Sequence, residues 1–464
     1  MVIRLFSRHT LLVCLCLLTV AVAVTMAVNS GKAQSNFSAS SGSSTASDLY
    51  AYKNVSGSTE TASGAISRSS SATPSSQALS SAAPASSSGE SSSVPAAITE
   101  KAQEMRAVWV PYLSLDMSRE TDKSEQGFQK KFNAIVSQAK ACGMNTLVVQ
   151  VRPFGDALYK SSYFPWSHVT GGTQGVNPGY DPLADMVAAS HRAGLKIHAW
   201  VNPLRIQTSS ATPSILAVGN PYNTFRKDPA KADWVVDFQG GKYYNPAYAQ
   251  VRKLIADGVK EIVQNYNVDG IQFDDYFYPS QDASFDKTAY AAYCSSAKNA
   301  GTPLSLSEWR QGNISAMVSQ VYQEVKAAKQ NVPFGIAPQA NVQNDRNMGA
   351  DVESWCTARG YVDYICPQLY VNFQNPVLPF DKAAQTWRGM VTNKGIKLYF
   401  GLAVYKANSD ADSGTWKSSS NILATQVDYG RKTKCDGFMF YSCDYLNNLQ
   451  TKTEVQNVMK VLNG

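Results

Sequence analysis

The strongest chemical signal in the chain is Asp269-Gly-Ile-Gln-Phe-Asp-Asp-Tyr-Phe-Tyr-Pro279, where two adjacent carboxylates, Asp274 and Asp275, close an apolar run. Carboxylates at the end of a buried strand are costly to desolvate, so a purely structural role would need a compensating cation. A pair whose environments drive the two groups apart gives one that keeps its proton and one that stays ionised, the equipment of general acid and base chemistry. Strand alternation puts Gln272, Asp274 and Tyr276 on one face and Ile271, Phe273 and Asp275 on the other while the strand lasts. Asp274 is therefore the favoured inward group, with Asp275 nearly equal because the strand end is not fixed to one residue. Other carboxylates near strand ends or adjoining loops are Asp156, Glu308 and Asp345. Glu308-Trp309-Arg310 precedes a helical run, so Glu308 reads either as a catalytic partner or as a helix-start cap. His198 lies inside an apolar run and reads as a packed core histidine; His168 and His191 read as surface residues.

The candidate strand ends are polar and aromatic together. They carry Gln150, Arg152 and Asp156; Trp200, Asn202 and Arg205; Tyr276 and Tyr278; Gln339; Gln368 and Tyr370; and Tyr441, with Trp309 and Arg310 nearby. Aromatic faces stack on the apolar faces of sugar rings, while amides and guanidinium groups satisfy dense hydroxyls, so this set suits carbohydrate and not an apolar ligand. Hydrolysis of a glycosidic bond usually needs two carboxyl groups across it, or one acid where an N-acetyl group of the sugar serves as nucleophile. Both routes stay open.

The elements that must hold these residues are short apolar runs alternating with amphipathic stretches, the pattern of repeated βα units. Eight runs are expected as strands, at 106–110, 146–151, 196–201, 270–273, 333–337, 364–369, 397–403 and 437–441. Helical spacing falls between them at 128–142, 183–193, 251–265, 314–329 and 422–432, and Gly143, Gly194 and Gly395 are placed as helix C-caps. The count favours an α/β fold of the (β/α)8 TIM-barrel type, whose active site gathers at the C-terminal strand ends. A doubly wound sheet is the alternative, but no GxGxxG follows the first strand.

Residues 1–33 join Arg4 and Arg8 to an apolar run at 11–28, the pattern of a signal peptide or membrane anchor. Residues 34–100, rich in Ser, Ala and Thr, lack apolar periodicity and are expected as a disordered linker. The barrel is assigned to 101–464, and an extracellular or cell-envelope location follows. The formal charge of +7 is spread without a basic run, which argues against nucleic acid as partner. Cys142, Cys294, Cys356, Cys366, Cys435 and Cys443 show no CxxC spacing, and with four histidines no HExxH appears, so no metal or other cofactor is expected. Buried free thiols are favoured over one or two disulfides. A monomer acting on a polysaccharide is expected.

The runs Met105-Arg-Ala-Val-Trp-Val, Gln150-Val-Arg-Pro-Phe-Gly-Asp-Ala-Leu-Tyr159, Tyr163-Phe-Pro-Trp-Ser, Pro178-Gly-Tyr-Asp-Pro-Leu183, His198-Ala-Trp-Val-Asn-Pro203, 269–279 and Asp363-Tyr-Ile-Cys-Pro-Gln-Leu-Tyr370 resemble glycosyl-hydrolase-like family 10, with its YngK-like and YddW-like members. The resemblance covers most of 104–464. It implies an exported (β/α)8 barrel acting on envelope glycans, with peptidoglycan strands lacking stem peptides as a substrate. The chain departs from the family where Trp309-Arg-Gln-Gly-Asn313 replaces the usual Trp-Arg-Arg-Asp-Asn. Asp269, Gly270 and Asp274 are also similar to the DGxDxDxE signature of chitinase-like hydrolases, but Gln272 and Tyr276 stand where that signature has acids. The expectation is a glycoside hydrolase with Asp274 or Asp275 as general acid; the alternative is a non-catalytic, wall-tethered carbohydrate-binding barrel. A barrel enzyme on phosphorylated metabolites is disfavoured, because the segments after the last two strands lack phosphate-binding glycines.

Overall fold

The computed structural model describes residues 104–463 apart from 209–212, 214, 297 and 300. The expected signal or anchor at 1–33 and linker at 34–100 lie outside the described residues.

Eight parallel strands close on themselves: β1 (Met105–Val110), β2 (Thr146–Arg152), β3 (Lys196–Val201), β7 (Gly270–Phe273), β8 (Phe334–Ile336), β9 (Tyr364–Ile365), β10 (Lys397–Ala403) and β11 (Gly437–Tyr441). Every one of the eight apolar runs became a barrel strand. The seam is the pairing of β1 with β11, Met105 opposite Gly437 and Val108 opposite Phe440. Strands in a barrel are covered on both faces, so β2 (TLVVQVR) is buried along its whole length.

The outer layer follows from helical periodicity. Helix α1 (Glu125–Ala141) buries Phe128, Phe132, Val136 and Ala139, one stripe at three- and four-residue spacing, and is capped by Ser124, whose side chain accepts from the Gly127 N–H. It is followed by α2 (Pro182–Arg192) and, further on, by α3 (Pro221–Lys227), α4 (Ala249–Asn265), α5 (Lys287–Ser295) and α6 (Leu306–Ala328). The remaining helices are α7 (Val342–Asn347), α8 (Val352–Thr357), α9 (Phe380–Met390), α10 (Ile422–Lys432) and α11 (Lys452–Asn463). Gly143 and Gly194 close α1 and α2 with φ of 77° and 74°, as expected of caps. Gly395 does not: α9 has already ended at Met390, and this glycine is not among those with positive φ.

An insertion between β3 and β7 escaped the periodicity. A small antiparallel sheet, in the order β4-β6-β5, is built from β4 (Arg205–Gln207), β5 (Val235–Phe238) and β6 (Gly241–Tyr244). Three- and four-residue strands are too short to register a period of two.

Inside the barrel, His198 Nδ1 lies 3.1 Å from the Tyr364 hydroxyl, and burial pulls the imidazole pKa down to about 4. His198 is thus a neutral packing residue. Gly270 and Gly335 make room for this layer, since a Cβ at either position would strike the His198 or Tyr364 ring. All six cysteines among the described residues are free thiols. No helix among them is long and apolar enough to cross a membrane.

Candidate active site

Strand β7 ends at Phe273, and the next two residues leave the alternation that held up to that point. Both carboxylates consequently turn into the site, each towards a different neighbour. Asp274 reaches back to the tip of β3: its Oδ2 accepts from Trp200 Nε1 at 2.9 Å and from Asn202 Nδ2, and its Oδ1 accepts from the Tyr276 N–H at 3.2 Å. Asp275 reaches forward to β8 and β9: Oδ1 accepts from Gln368 Nε2 at 2.7 Å and Oδ2 from Gln339 Nε2 at 3.0 Å.

The amides that hold the pair are themselves oriented. Gln150 Oε1 accepts from the Tyr112 N–H at 3.0 Å, which turns its Nε2 towards Asn202 Oδ1 at 2.6 Å, and this in turn leaves the Asn202 amine facing Asp274. On the other side, Asn344 Nδ2 donates to Gln339 Oε1 at 2.9 Å, so the Gln339 amine faces Asp275. A chain of amides in which each acceptor is already taken sets the direction of the next.

Both carboxyl pKa values lie above the ordinary range. Burial is the main cause for Asp274, followed by the neighbouring Asp275 charge, and together they raise it to about 7 against the opposing pull of Arg205. Burial raises Asp275 as well, opposed by the Gln368 and Gln339 donors and by Arg205. Like charges side by side in a desolvated site hold a proton between them. Arg205, on β4, stacks its guanidinium 4.8 Å from the Tyr276 ring centroid and 4.9 Å from Phe154, and donates from Nε to the Pro153 carbonyl at 2.9 Å.

Across the barrel mouth stands a group of rings. Trp109 lies 6.1 Å from Tyr441 and 6.4 Å from Tyr370; Tyr370 and Tyr441 are 5.9 Å apart, and Tyr405 is 6.0 Å from each of these two tyrosines. Trp109 was missed as a site residue, although its parity in the 106–110 run marks it as inward. Asn344 was missed because it sits on a six-residue helix, α7, whose relation to Asp275 exists only in three dimensions. Asp444, an exposed carboxylate three residues past β11 that accepts from Ser114 Oγ at 2.8 Å, was also passed over.

Several expected site residues do other work. Glu308 is exposed and forms the capping box of α6, its carboxylate accepting from the Ser305 N–H at 3.0 Å and the Ser305 hydroxyl at 2.6 Å. Trp309 packs on Tyr290 and Tyr293 of α5. Arg310 is buried, pairs through two nitrogens with Asp286, donates to the Ser280 and Asp282 carbonyls, and lies 4.8 Å over the Tyr278 ring; it braces the loop after β7. Asp156 is fully buried and accepts from Gln174 Nε2 at 2.9 Å, with His168 Nδ1 at 3.0 Å, so His168 is a buried loop anchor and not a surface residue. Arg152 is also fully buried, 4.3 Å over the Phe164 ring. Asp345 lies behind Gln339, whose backbone N–H it accepts at 2.9 Å. The carboxylates suggested as partners for the pair are therefore engaged in the scaffold. Among the described residues no cluster of three or more His, Cys, Asp or Glu is placed to hold a metal ion.

An eight-stranded parallel barrel with paired carboxylates and a ring of aromatic and amide side chains at its C-terminal strand ends defines a protein of the glycosidase-barrel class. The chain belongs to the glycosyl hydrolase-like 10 family, whose model matches residues 104–417. It is 33% identical over 369 residues to glycosyl hydrolase YngK of Bacillus subtilis (strain 168), covering 76% of this chain and 70% of that one. It is 30% identical over 396 residues to glycosyl hydrolase DigH of Escherichia coli (strain K12), covering 78% and 88%. Among solved structures, the catalytic domain of β-amylase from Paenibacillus polymyxa superposes with a TM-score of 0.51 at 10% identity, over 77% of this chain and 98% of that one, a likeness of fold alone.

Proposed function

We propose that this protein is an exported enzyme that hydrolyses glycosidic bonds in an N-acetylated cell-envelope glycan, peptidoglycan strands without stem peptides being the substrate, with Asp274 as general acid. The observation that carries the reading is the buried Asp274–Asp275 pair, with the Asp274 carboxyl raised to about 7 by burial and by its neighbour. A carboxylic acid that keeps its proton near neutrality can deliver it to the glycosidic oxygen as the bond breaks. Asp275, whose charge helps raise the Asp274 pKa, is the member that stays ionised and faces the positive charge that develops at the anomeric carbon. In one route it acts as nucleophile or base; in the other it orients the substrate's own acetamido group, which attacks in its place. The resemblance to two glycosyl hydrolases at 30% identity or more supports the reaction class. The N-terminal apolar segment supports export, by cleavage or by anchoring.

A second reading, a non-catalytic carbohydrate-binding barrel, is favoured by one observation: Asp156, Glu308 and Asp345 are engaged in holding the scaffold. Mass spectrometry of products separates the two. Purified protein is incubated with glycan strands bearing or lacking stem peptides, beside Asp274→Asn and Asp275→Asn. New saccharide fragments from the stripped strands, absent with Asp274→Asn, are expected; intact glycan that co-sediments with wild-type protein would establish the binding module instead.

A further inference from the structure

The chain leaves β3 and β7, the two strands whose tips carry the paired aspartates and the Trp200 and Asn202 donors, through segments that enclose a second depression. One wall is β5 with Arg226 at the end of α3, the other is the start of α5, and Asn245, Tyr248 and Phe285 lie between them, around a cleft of ≈ 180 Å³. That is below the roughly 300–1,000 Å³ of sites for drug-sized ligands and fits one ring-sized unit.

Three features describe what such a unit would be. The first is aromatic: Phe225, Trp234 and Tyr248, all half-buried, form a ladder with centroids 5.1 and 6.4 Å apart, and Tyr248 ends it in the cleft. The second is charge. Asp237 is neutralised by Arg226 and Lys242 and accepts from the Tyr222 hydroxyl, and Asp286 is neutralised by Arg310. What remains on the walls is one carboxylate, Asp233, and one ammonium, Lys287, neither with an ion pair among the described residues, together with the exposed hydroxyls of Ser284 and Thr288. Asp233 and Lys287 cancel, and the one surplus positive charge, from Arg226 and Lys242 sharing Asp237, is held on that carboxylate, so no strong field of one sign marks the cleft. An apolar face beside hydroxyls, a carboxylate and an ammonium matches an uncharged pyranose.

The third feature is continuity with the active site. Arg205, stacked on Tyr276, pairs across the small sheet with Tyr243, and the Tyr243 ring lies 6.0 Å from Phe285, which is 5.5 Å from Tyr278 of the strand-seven loop. Both walls are thus tied to the segment that bears the carboxylates.

We propose that this cleft is a remote saccharide subsite, holding an uncharged sugar unit of the glycan away from the bond that is cut. The assignment of a glycan rests on the proposed function; the cleft adds a requirement for chain length. The test uses N-acetylglucosamine oligomers of graded length and stripped glycan strands with wild type, Tyr248→Ala, and Thr288→Tyr, which fills the cleft from its exposed wall; thermal melting checks that each variant is folded. The expected result is KM raised about tenfold for long chains in both variants, with kcat and all constants for the shortest cleaved oligomer unchanged. Titration calorimetry of a long oligomer gives a readout that does not depend on turnover. Turnover with no length-dependent effect of either variant overturns the subsite and leaves the hydrolase standing. No turnover, but binding that weakens in both variants, keeps the subsite and removes the hydrolase. Binding unaffected by either variant, or absent from wild type, overturns the subsite.

Discussion

Asp274 and Asp275 are neighbours in sequence, yet they take their side-chain hydrogen bonds from opposite sides of β7, one from the tip of β3 and the other from beyond β8 and β9. The pH dependence follows from this geometry. With the Asp274 pKa raised to about 7, the acid form is lost as pH rises through that value, and the alkaline limb of kcat/KM should fall there. Arg205 pulls the Asp274 pKa down, so Arg205→Gln should move that limb to higher pH; a pH–rate profile with an unmoved limb would show that the guanidinium does not act on the pair. Stability carries the same signature. A carboxyl raised on folding binds a proton that the unfolded chain has already released, so between the unfolded value near 3.8 and about 7 the native state loses stability as pH rises. Asp274→Asn removes the charge that must be buried. Its melting temperature relative to wild type should therefore climb between pH 5 and pH 8, while turnover drops by about 10²–10⁴-fold. A difference in melting temperature that is flat with pH would contradict the raised pKa.

At the scale of elements, the start of α6 shows how a chemically suggestive triplet can be spent on architecture. Glu308 reciprocates Ser305 in a capping box, and Arg310, two residues later, points inward to hold Asp286 and the Ser280 and Asp282 carbonyls. A glutamate three residues after a serine is itself a sequence signature of a helix start, and the capping reading of Glu308 is the one the structure bears out. Ser305→Ala should cost about 1 kcal/mol in denaturant unfolding, and Glu308→Gln, which can still close the box, should leave kcat unchanged. A large loss of kcat in Glu308→Gln at unchanged stability would return that residue to the catalytic set. The insertion of β4–β6 is the element that periodicity missed, and it is also the one that delivers Arg205 to the Asp pair.

At the scale of the whole molecule, the barrel is closed by β1 against β11, where Gly437 faces Met105 with φ 149°. A Cβ at Gly437 would run into the Met105 backbone, which cannot retreat without opening the seam. Gly437→Ala should destabilise by about 1–3 kcal/mol or more in urea unfolding, with the slope unchanged; wild-type stability would show that the seam is slack.

The eight strands, the barrel class and the aspartate pair were legible in the chain, because burial on both faces leaves an apolar run for each strand and a carboxylate ending such a run stands out against it. Which groups those carboxylates meet is settled by packing between elements distant in the chain. Strand alternation assigned Asp274 and Asp275 to opposite faces, but β7 stops at Phe273, and beyond a strand end the direction of a side chain is set by its hydrogen-bond partners. Those partners, Trp200, Asn202, Gln339 and Gln368, come from separate elements whose convergence depends on barrel closure. Residue type and local spacing carry the cost of burying a charge; the identity of the group that offsets it is a long-range property of the fold.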